Sequence, residues 1–147
     1  MTSPERIAEL AAERKLYGDR RDCAVWTMAA TTGLDYRTCY ETFRKLGRRK
    51  NCGTPNVLIP KAYAAHGFTF EATPIDRVTV SKLPQVMPDS AAYCVQTSGH
   101  QLPVIGKTVH DWTEGRRHRV KRAYRIERIQ LKRKEFRPID GPQLTLI

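Results

Sequence analysis

Residues 22–33 read Asp-Cys-Ala-Val-Trp-Thr-Met-Ala-Ala-Thr-Thr-Gly, and this stretch decides the fold. Small and apolar side chains occur on every side of the helix that it predicts over 23–32, which is typical of a helix buried in the centre of a domain. Asp22 is a suitable N-cap residue and Gly33 a suitable terminator. Cys23 is therefore predicted on the first turn of a central helix, where unpaired backbone amides and the helix dipole favour a negative charge.

The rest of the chain predicts helices first and strands afterwards. Ser3 and Pro4 begin one helix, Asp35 caps another that Gly47 ends, and Pro60 requires either a kink or a later start in a third. The predicted helices cover 4–16, 36–46, 54–65 and, more briefly, 78–87. The predicted strands cover 68–72, 91–97, 100–105, 107–112 and 119–129. This order indicates an α+β fold with a C-terminal antiparallel sheet.

Two residues of the predicted sheet have side chains suited to acid–base catalysis. His100 opens one strand and Asp111 closes the next, and the Gly106-Lys107 turn between the strands brings them together near the same end of a hairpin. Alternation points the competing His110 to the opposite face from Asp111. A thiolate nucleophile needs a histidine that acts as base and acid, and a carboxylate that orients this histidine. The sequence therefore predicts a catalytic triad of Cys23, His100 and Asp111.

The order of these motifs resembles a known superfamily. Asp22-Cys23 before an apolar helix, then Gly99-His100, an apolar strand, a glycine turn and Asp111-Trp112, is similar to the papain-like cysteine peptidases. More narrowly, it resembles small papain-fold proteins carried by bacteriophages, and more distantly the bacteriocin-processing peptidase domains of ABC transporters. The resemblance covers roughly 18–128. It implies a papain-like fold and a phage-encoded cysteine peptidase or amide hydrolase that acts on a protein or peptide substrate in the bacterial host cytoplasm.

The chain departs from this superfamily at the oxyanion hole. Papain-like peptidases place a glutamine about half a dozen residues before the cysteine, and residues 17–22 contain none. The backbone N–H of Cys23 supplies one donor to a developing oxyanion. The second donor is left open between the loop over 17–21, Gln96 and Gln101.

Positive charge is concentrated towards the C-terminus. The net charge is +11, and residues 115–137 hold eleven Lys and Arg side chains against two Glu. Such a segment indicates an acidic partner or nucleic acid, unless it is only a solvated surface. Because no recognition helix or stacking motif accompanies it, any nucleic-acid binding through 116–137 is expected to be non-specific and salt-dependent. An alternative function is thus a non-catalytic phage binding protein of the same fold, which engages a host protein or nucleic acid.

The remaining features of the sequence limit the classes of protein to which the chain can belong. One domain is expected over 1–137, and Pro138, Gly141 and Pro142 predict a loosely held tail over 138–147. The four cysteines are scattered and the N-terminal residues hold no apolar signal core, so reduced thiols and a cytoplasmic location are expected. No paired Cys or His spacing predicts a metal, no cofactor is expected, and no apolar run approaches the ~20 residues of a membrane helix. Trp26 and Trp112 are both predicted in the core.

Overall fold

The computed structural model of the protein describes residues 1–75 and 77–130. The predicted tail over 138–147 lies outside the described residues, as do residues 131–137 of the basic segment.

Four helices precede the first strand of an antiparallel sheet in the described residues, and a short fifth helix follows that strand, which agrees with the predicted α+β class. The helices are α1 (Pro4–Tyr17), α2 (Cys23–Thr32), α3 (Tyr36–Lys45), α4 (Leu58–Ala65) and the single-turn α5 (Leu83–Val86), which a 3-10 turn at Val80–Lys82 precedes. The strands are β1 (Glu71–Thr73), β2 (Ala92–Thr97), β3 (His100–Ile105), β4 (Thr108–Val109) and β5 (Arg122–Ile126). They lie in the order β1-β5-β2-β3-β4, and all neighbours are antiparallel.

Helix α2 is the centre of the fold, as its sequence predicts. Its residues from Ala24 to Thr31 are all buried, and the helix packs against β2, β3, α1 and α3. It ends at Gly33, whose φ of 79° is a left-handed conformation that glycine adopts without strain and whose N–H bonds to Ala29 O at 2.8 Å. Packing on every side fixes the axis of α2, and with it the position of Cys23 at its N-terminus.

The sheet is covered on both faces. Side chains alternate across it, so Cys94 of β2 packs with the core of α1 to α4 while Tyr93 and Val95 pack with Leu83 and the residues around α5. The central strands are therefore buried on both sides, and β3 is held rigidly where it begins at His100.

The hairpin of β3 and β4 ends early because of Pro103. Opposed residues of a hydrogen-bonded antiparallel pair exchange two bonds. His110 N donates to Pro103 O at 3.0 Å, but Pro103 has no N–H to return to the His110 carbonyl. The indole Nε1 of Trp26 donates to that carbonyl instead, at 2.9 Å. A proline in the sheet thus creates the acceptor that ties α2 to the hairpin.

Several predicted boundaries are wrong. The strand predicted over 107–112 pairs only at Thr108–Val109, and the chain leaves the ladder where Pro103 offers no donor. The strand predicted over 119–129 forms only at Arg122–Ile126, with single bridges at Arg119 and Arg128 on either side. The strand predicted over 68–72 lies at Glu71–Thr73.

The helix ends also differ in part from prediction. The Ser3 hydroxyl oxygen caps α1 by accepting a hydrogen bond from Arg6 N at 3.1 Å, as predicted. The helix predicted over 54–65 starts at Leu58, so Pro60 lies in its first turn, where no intrahelical partner is lost. Asp22 and Asp35 occupy N-cap positions, but neither side chain makes a capping bond because each is taken by an arginine.

Candidate functional site

The structure brings the three predicted site residues together at one edge of the sheet. Cys23 begins α2 and is partly exposed, and His100 begins β3 beside it. His100 Nε2 lies 2.9 Å from Asp111 Oδ2. Because Nε2 faces Asp111, the nitrogen left for Cys23 is Nδ1. His110, by contrast, contributes its backbone carbonyl, which accepts the Trp26 indole N–H.

His100 is held in its charged form by its neighbours. Burial alone lowers the pKa of His100, but hydrogen bonding to Asp111 and to Cys23 outweighs this effect and raises the pKa to about 9. At neutral pH an imidazolium therefore lies against the Cys23 thiol. This cation and the N-terminus of α2 both place positive potential in the part of the cleft next to Cys23.

Asp111 is anchored as an acceptor. Its Oδ2 also receives the Thr113 hydroxyl at 2.6 Å and the Thr113 N–H at 3.2 Å, and its side chain is almost fully buried. Burial tends to raise the pKa of Asp111, but the bonds from His100 and Thr113 overcome this tendency and hold it below the usual value. Asp111 is therefore ionised at neutral pH, and it fixes the orientation of the imidazole ring. Thr113 has no signal in the sequence beyond its closeness to Asp111.

Asp22 serves the site without capping the helix. Its carboxylate accepts two bonds from Arg14, at 2.7 and 2.8 Å, and one from the Tyr36 hydroxyl at 2.6 Å. The Arg14 guanidinium also lies over the Trp26 ring, 5.0 Å from its centroid. Since the Asp22 carboxylate is bound by Arg14 and Tyr36, it does not cap the amides of the first turn of α2.

A cleft of about 600 Å³ opens in front of Cys23 and His100. Its walls come from the loop before α2, from residues 53–56 before α4, and from Gln101 and Trp112 of the hairpin side. A larger groove of about 970 Å³ lies elsewhere, between the N-terminus, the end of α2 and β5. It contains none of the predicted triad, so the smaller cleft is the candidate active site.

Trp112 corrects one prediction. Trp26 is buried, as predicted, but the Trp112 side chain is 60% exposed and does not belong to the core. Its ring packs against His100 with centroids 5.4 Å apart, and against His118 at 5.3 Å. The early end of β4 places Trp112 outside the ladder, so it covers one side of His100 at the rim of the cleft.

Asn56 is a site residue that the sequence reasoning missed. Burial raises the pKa of the Cys94 thiol, so this group stays protonated and donates to Gln101 Oε1 at 3.6 Å. Gln101 Nε2 then faces Asn56 Oδ1 at 3.4 Å. The chain of donors fixes both amides, which leaves Asn56 Nδ2–H₂ as a donor on the wall of the cleft. The contact joins residues 45 positions apart and has no signature in the sequence.

The other three cysteines do not line the cleft, although Cys94 lies behind its wall and donates to Gln101. Cys39 and Cys94 are buried in the core, as predicted, and Cys52 is exposed. Over residues 1–75 and 77–130 no group of three His, Cys, Asp or Glu side chains could hold a metal ion. No helix in that part of the chain is long and apolar enough to cross a membrane.

The described part of the basic segment is exposed. The side chains at 116–119, 121 and 122 all reach solvent, and Arg116 lies over the Trp112 ring at 5.6 Å. Non-specific nucleic-acid binding through 116–137 stays a prediction.

Comparisons with protein-family models, curated proteins and solved structures find no match for this chain. The papain-like relationship stays a prediction.

Proposed function

We propose that this protein is a cysteine hydrolase that cleaves an amide bond in a peptide or protein substrate. The observation that carries the proposal is the relay at the cleft: His100 binds buried Asp111 through Nε2 and turns its other nitrogen towards Cys23 at the start of α2. Covalent acyl transfer needs a nucleophile, a base that contacts it and a group that orients the base. The resemblance to small papain-fold proteins of bacteriophages supports the same chemistry.

The reaction follows from the protonation states. Cys23 Sγ attacks the carbonyl carbon of the amide, and His100 gives its proton to the amide nitrogen as the C–N bond breaks. The amine leaves and a thioester to Cys23 remains. Neutral His100 then takes a proton from a water molecule, the resulting hydroxide attacks the thioester, and the C–S bond breaks. The carboxylic acid leaves, and the proton on His100 restores the starting pair.

The developing oxyanion has two donors in this proposal. The backbone N–H of Cys23 is one, and Asn56 Nδ2 is the second, because it is the amide donor that Gln101 orients into the same cleft. Asn56 takes the part that a glutamine before the cysteine plays in papain-like peptidases.

Replacing Asn56 by aspartate is expected to lower kcat by about 10²-fold or more with a much smaller change in KM, since the donor is needed mainly in the transition state. The variant keeps the shape of the side chain and loses the donor. Steady-state kinetics on a fluorogenic peptide amide measures the change. Gln85→Glu, the same kind of exchange at an exposed residue outside the cleft, is the control. A full kcat in Asn56→Asp would remove Asn56 from the oxyanion hole.

Alkylation by iodoacetamide tests the proposal without a known substrate. At pH 6 we expect Cys23 to react at least about tenfold faster than Cys52, although Cys52 is the more exposed thiol, because the cationic His100 ring lies beside Cys23. This advantage should persist while His100 is protonated and shrink as the pH rises through about 9, where His100 loses its proton. Peptide mass spectrometry gives both rates.

The His100→Ala variant is the control for this experiment and should remove the advantage at pH 6. If Cys23 of the wild-type protein is inert while the protein is folded, the non-catalytic binding protein becomes the better hypothesis.

A further inference from the structure

The cleft carries an excess of positive charge that the proposed chemistry does not use. Three arginines line it, at positions 14, 20 and 21, and the acidic side chain among its lining residues is Asp22. Asp22 is only 3% exposed and is already bonded to Arg14 and Tyr36. Among the described residues the guanidinium groups of Arg20 and Arg21 have no carboxylate partner, and both side chains are exposed.

The backbone that carries these two arginines is fixed by hydrogen bonds. Asp19 Oδ1 accepts Arg21 N at 3.0 Å and Arg48 Nη2 at 2.9 Å, and Asn51 Oδ1 accepts Arg20 N at 2.8 Å. The Asp19–Arg48 pair itself is buried. The loop therefore holds the backbone of Arg20 and Arg21 in a defined position, from which both solvated side chains line the cleft.

The position of the loop relates these cations to the scissile bond. Arg21 lies two residues before Cys23 and Arg20 three, on one wall of the cleft. An extended peptide advances ~3.5 Å per residue, so side chains within one or two residues of the scissile amide can face this wall. Arg116 lies over the ring of Trp112, another residue of the cleft, and adds a further cation.

We infer that the cleft selects acidic peptides, and that Arg20 and Arg21 bind a carboxylate next to the scissile amide. This inference rests on the proposed function. Guanidinium groups bind carboxylates through two parallel N–H bonds, which gives both affinity and orientation. The two arginines determine specificity; the bond-breaking steps belong to Cys23 and His100.

Matched fluorogenic peptides that carry either Glu or Gln within two residues of the cleaved bond test the inference. Wild-type protein is expected to show a kcat/KM about tenfold or more higher for the best Glu peptide than for its Gln partner at low salt. The preference should weaken at 0.5 M salt because the arginines are exposed. The double variant Arg20→Gln/Arg21→Gln should bring the ratio close to one.

Arg37→Gln/Arg49→Gln is the matched control, since it removes the same charge at two exposed arginines that do not line the cleft. It should keep the wild-type ratio. An equal loss of preference in this control, or a wild-type ratio near one, overturns the inference.

A second readout separates this inference from the proposed function. Under conditions in which the peptides are not turned over, the Glu peptide should slow iodoacetamide alkylation of Cys23 more than the Gln peptide does. The double variant Arg20→Gln/Arg21→Gln should abolish this difference. Protection that depends on these arginines without any hydrolysis would retain the acidic-peptide site and reject the hydrolase. Hydrolysis with no Glu preference and no selective protection would retain the hydrolase and reject the acidic-peptide site.

Discussion

Cys23→Ala is expected to lower amide hydrolysis by about 10⁴-fold or more, because removing the nucleophile of a covalent mechanism removes the whole route through the thioester. The fold should survive. The Cys23 side chain lies at a helix end and is partly exposed, so the variant should cost at most about 1–2 kcal/mol of unfolding free energy. Hydrolysis of a fluorogenic peptide and a thermal melt measure the two effects.

Cys52→Ala is the control, since it also removes a free thiol but one that lies outside the cleft. It should keep the wild-type rate. Equal hydrolysis by wild type and Cys23→Ala would exclude Cys23 as the nucleophile.

Arg48→Ala is expected to lower the free energy of unfolding by about 3–5 kcal/mol, the usual cost of leaving one member of a buried ion pair without the other. The side chains of Arg48 and Asp19 are 2% and 0% exposed, and Arg48 also donates to Arg21 O at 2.8 Å. Among the donors to Asp19 in residues 1–75 and 77–130, those that remain in the variant are uncharged and include Tyr40 at 2.8 Å and Asn51 N at 3.1 Å. Urea unfolding followed by circular dichroism measures the loss.

Arg44→Ala is the matched control because the Arg44–Glu41 pair lies on the surface of α3, and it should cost less than about 1 kcal/mol. Similar losses in the two variants would show that burial of the Asp19–Arg48 pair does not matter to stability.

The same pair has a dependence on pH. Burial tends to raise the pKa of Asp19, but the bonds from Arg48, Arg21 and Tyr40 prevail and hold it below the ordinary value. Asp19 therefore stabilises the fold above the ordinary aspartate pKa of about 3.9, and this contribution is lost as the pH falls below that value.

The parts of the site that could be predicted are those with local patterns. The apolar run after Cys23 predicts α2, and the Gly106-Lys107 turn predicts a hairpin that brings His100 near Asp111. Both turn residues adopt positive φ, 58° and 67°, as such a turn requires.

What the sequence could not predict depends on contacts between distant segments. The strand predicted over 107–112 extends to Trp112, but the ladder stops at Val109 because its partner strand contains Pro103. Aspartate is a preferred N-cap residue, yet Arg14 and Tyr36 bind the Asp22 carboxylate more strongly than backbone amides would. Secondary-structure propensity depends on a residue and its neighbours in the sequence. The end of β4 and the bonding of Asp22 depend instead on partners from other elements.

The bond from Trp26 to the His110 carbonyl has a consequence for the order of folding. His100 and Asp111 are 11 positions apart and share a two-residue turn, so their half of the site can form by hairpin closure within about 1–10 μs. The Trp26 bond spans 84 positions, and contacts of such long range form late. During synthesis Cys23 leaves the ribosome well before His100, and it meets no imidazolium until α2 docks on the finished hairpin. If Cys23 is the nucleophile proposed above, the reactivity that it owes to His100 is therefore expected to appear only together with the native fold.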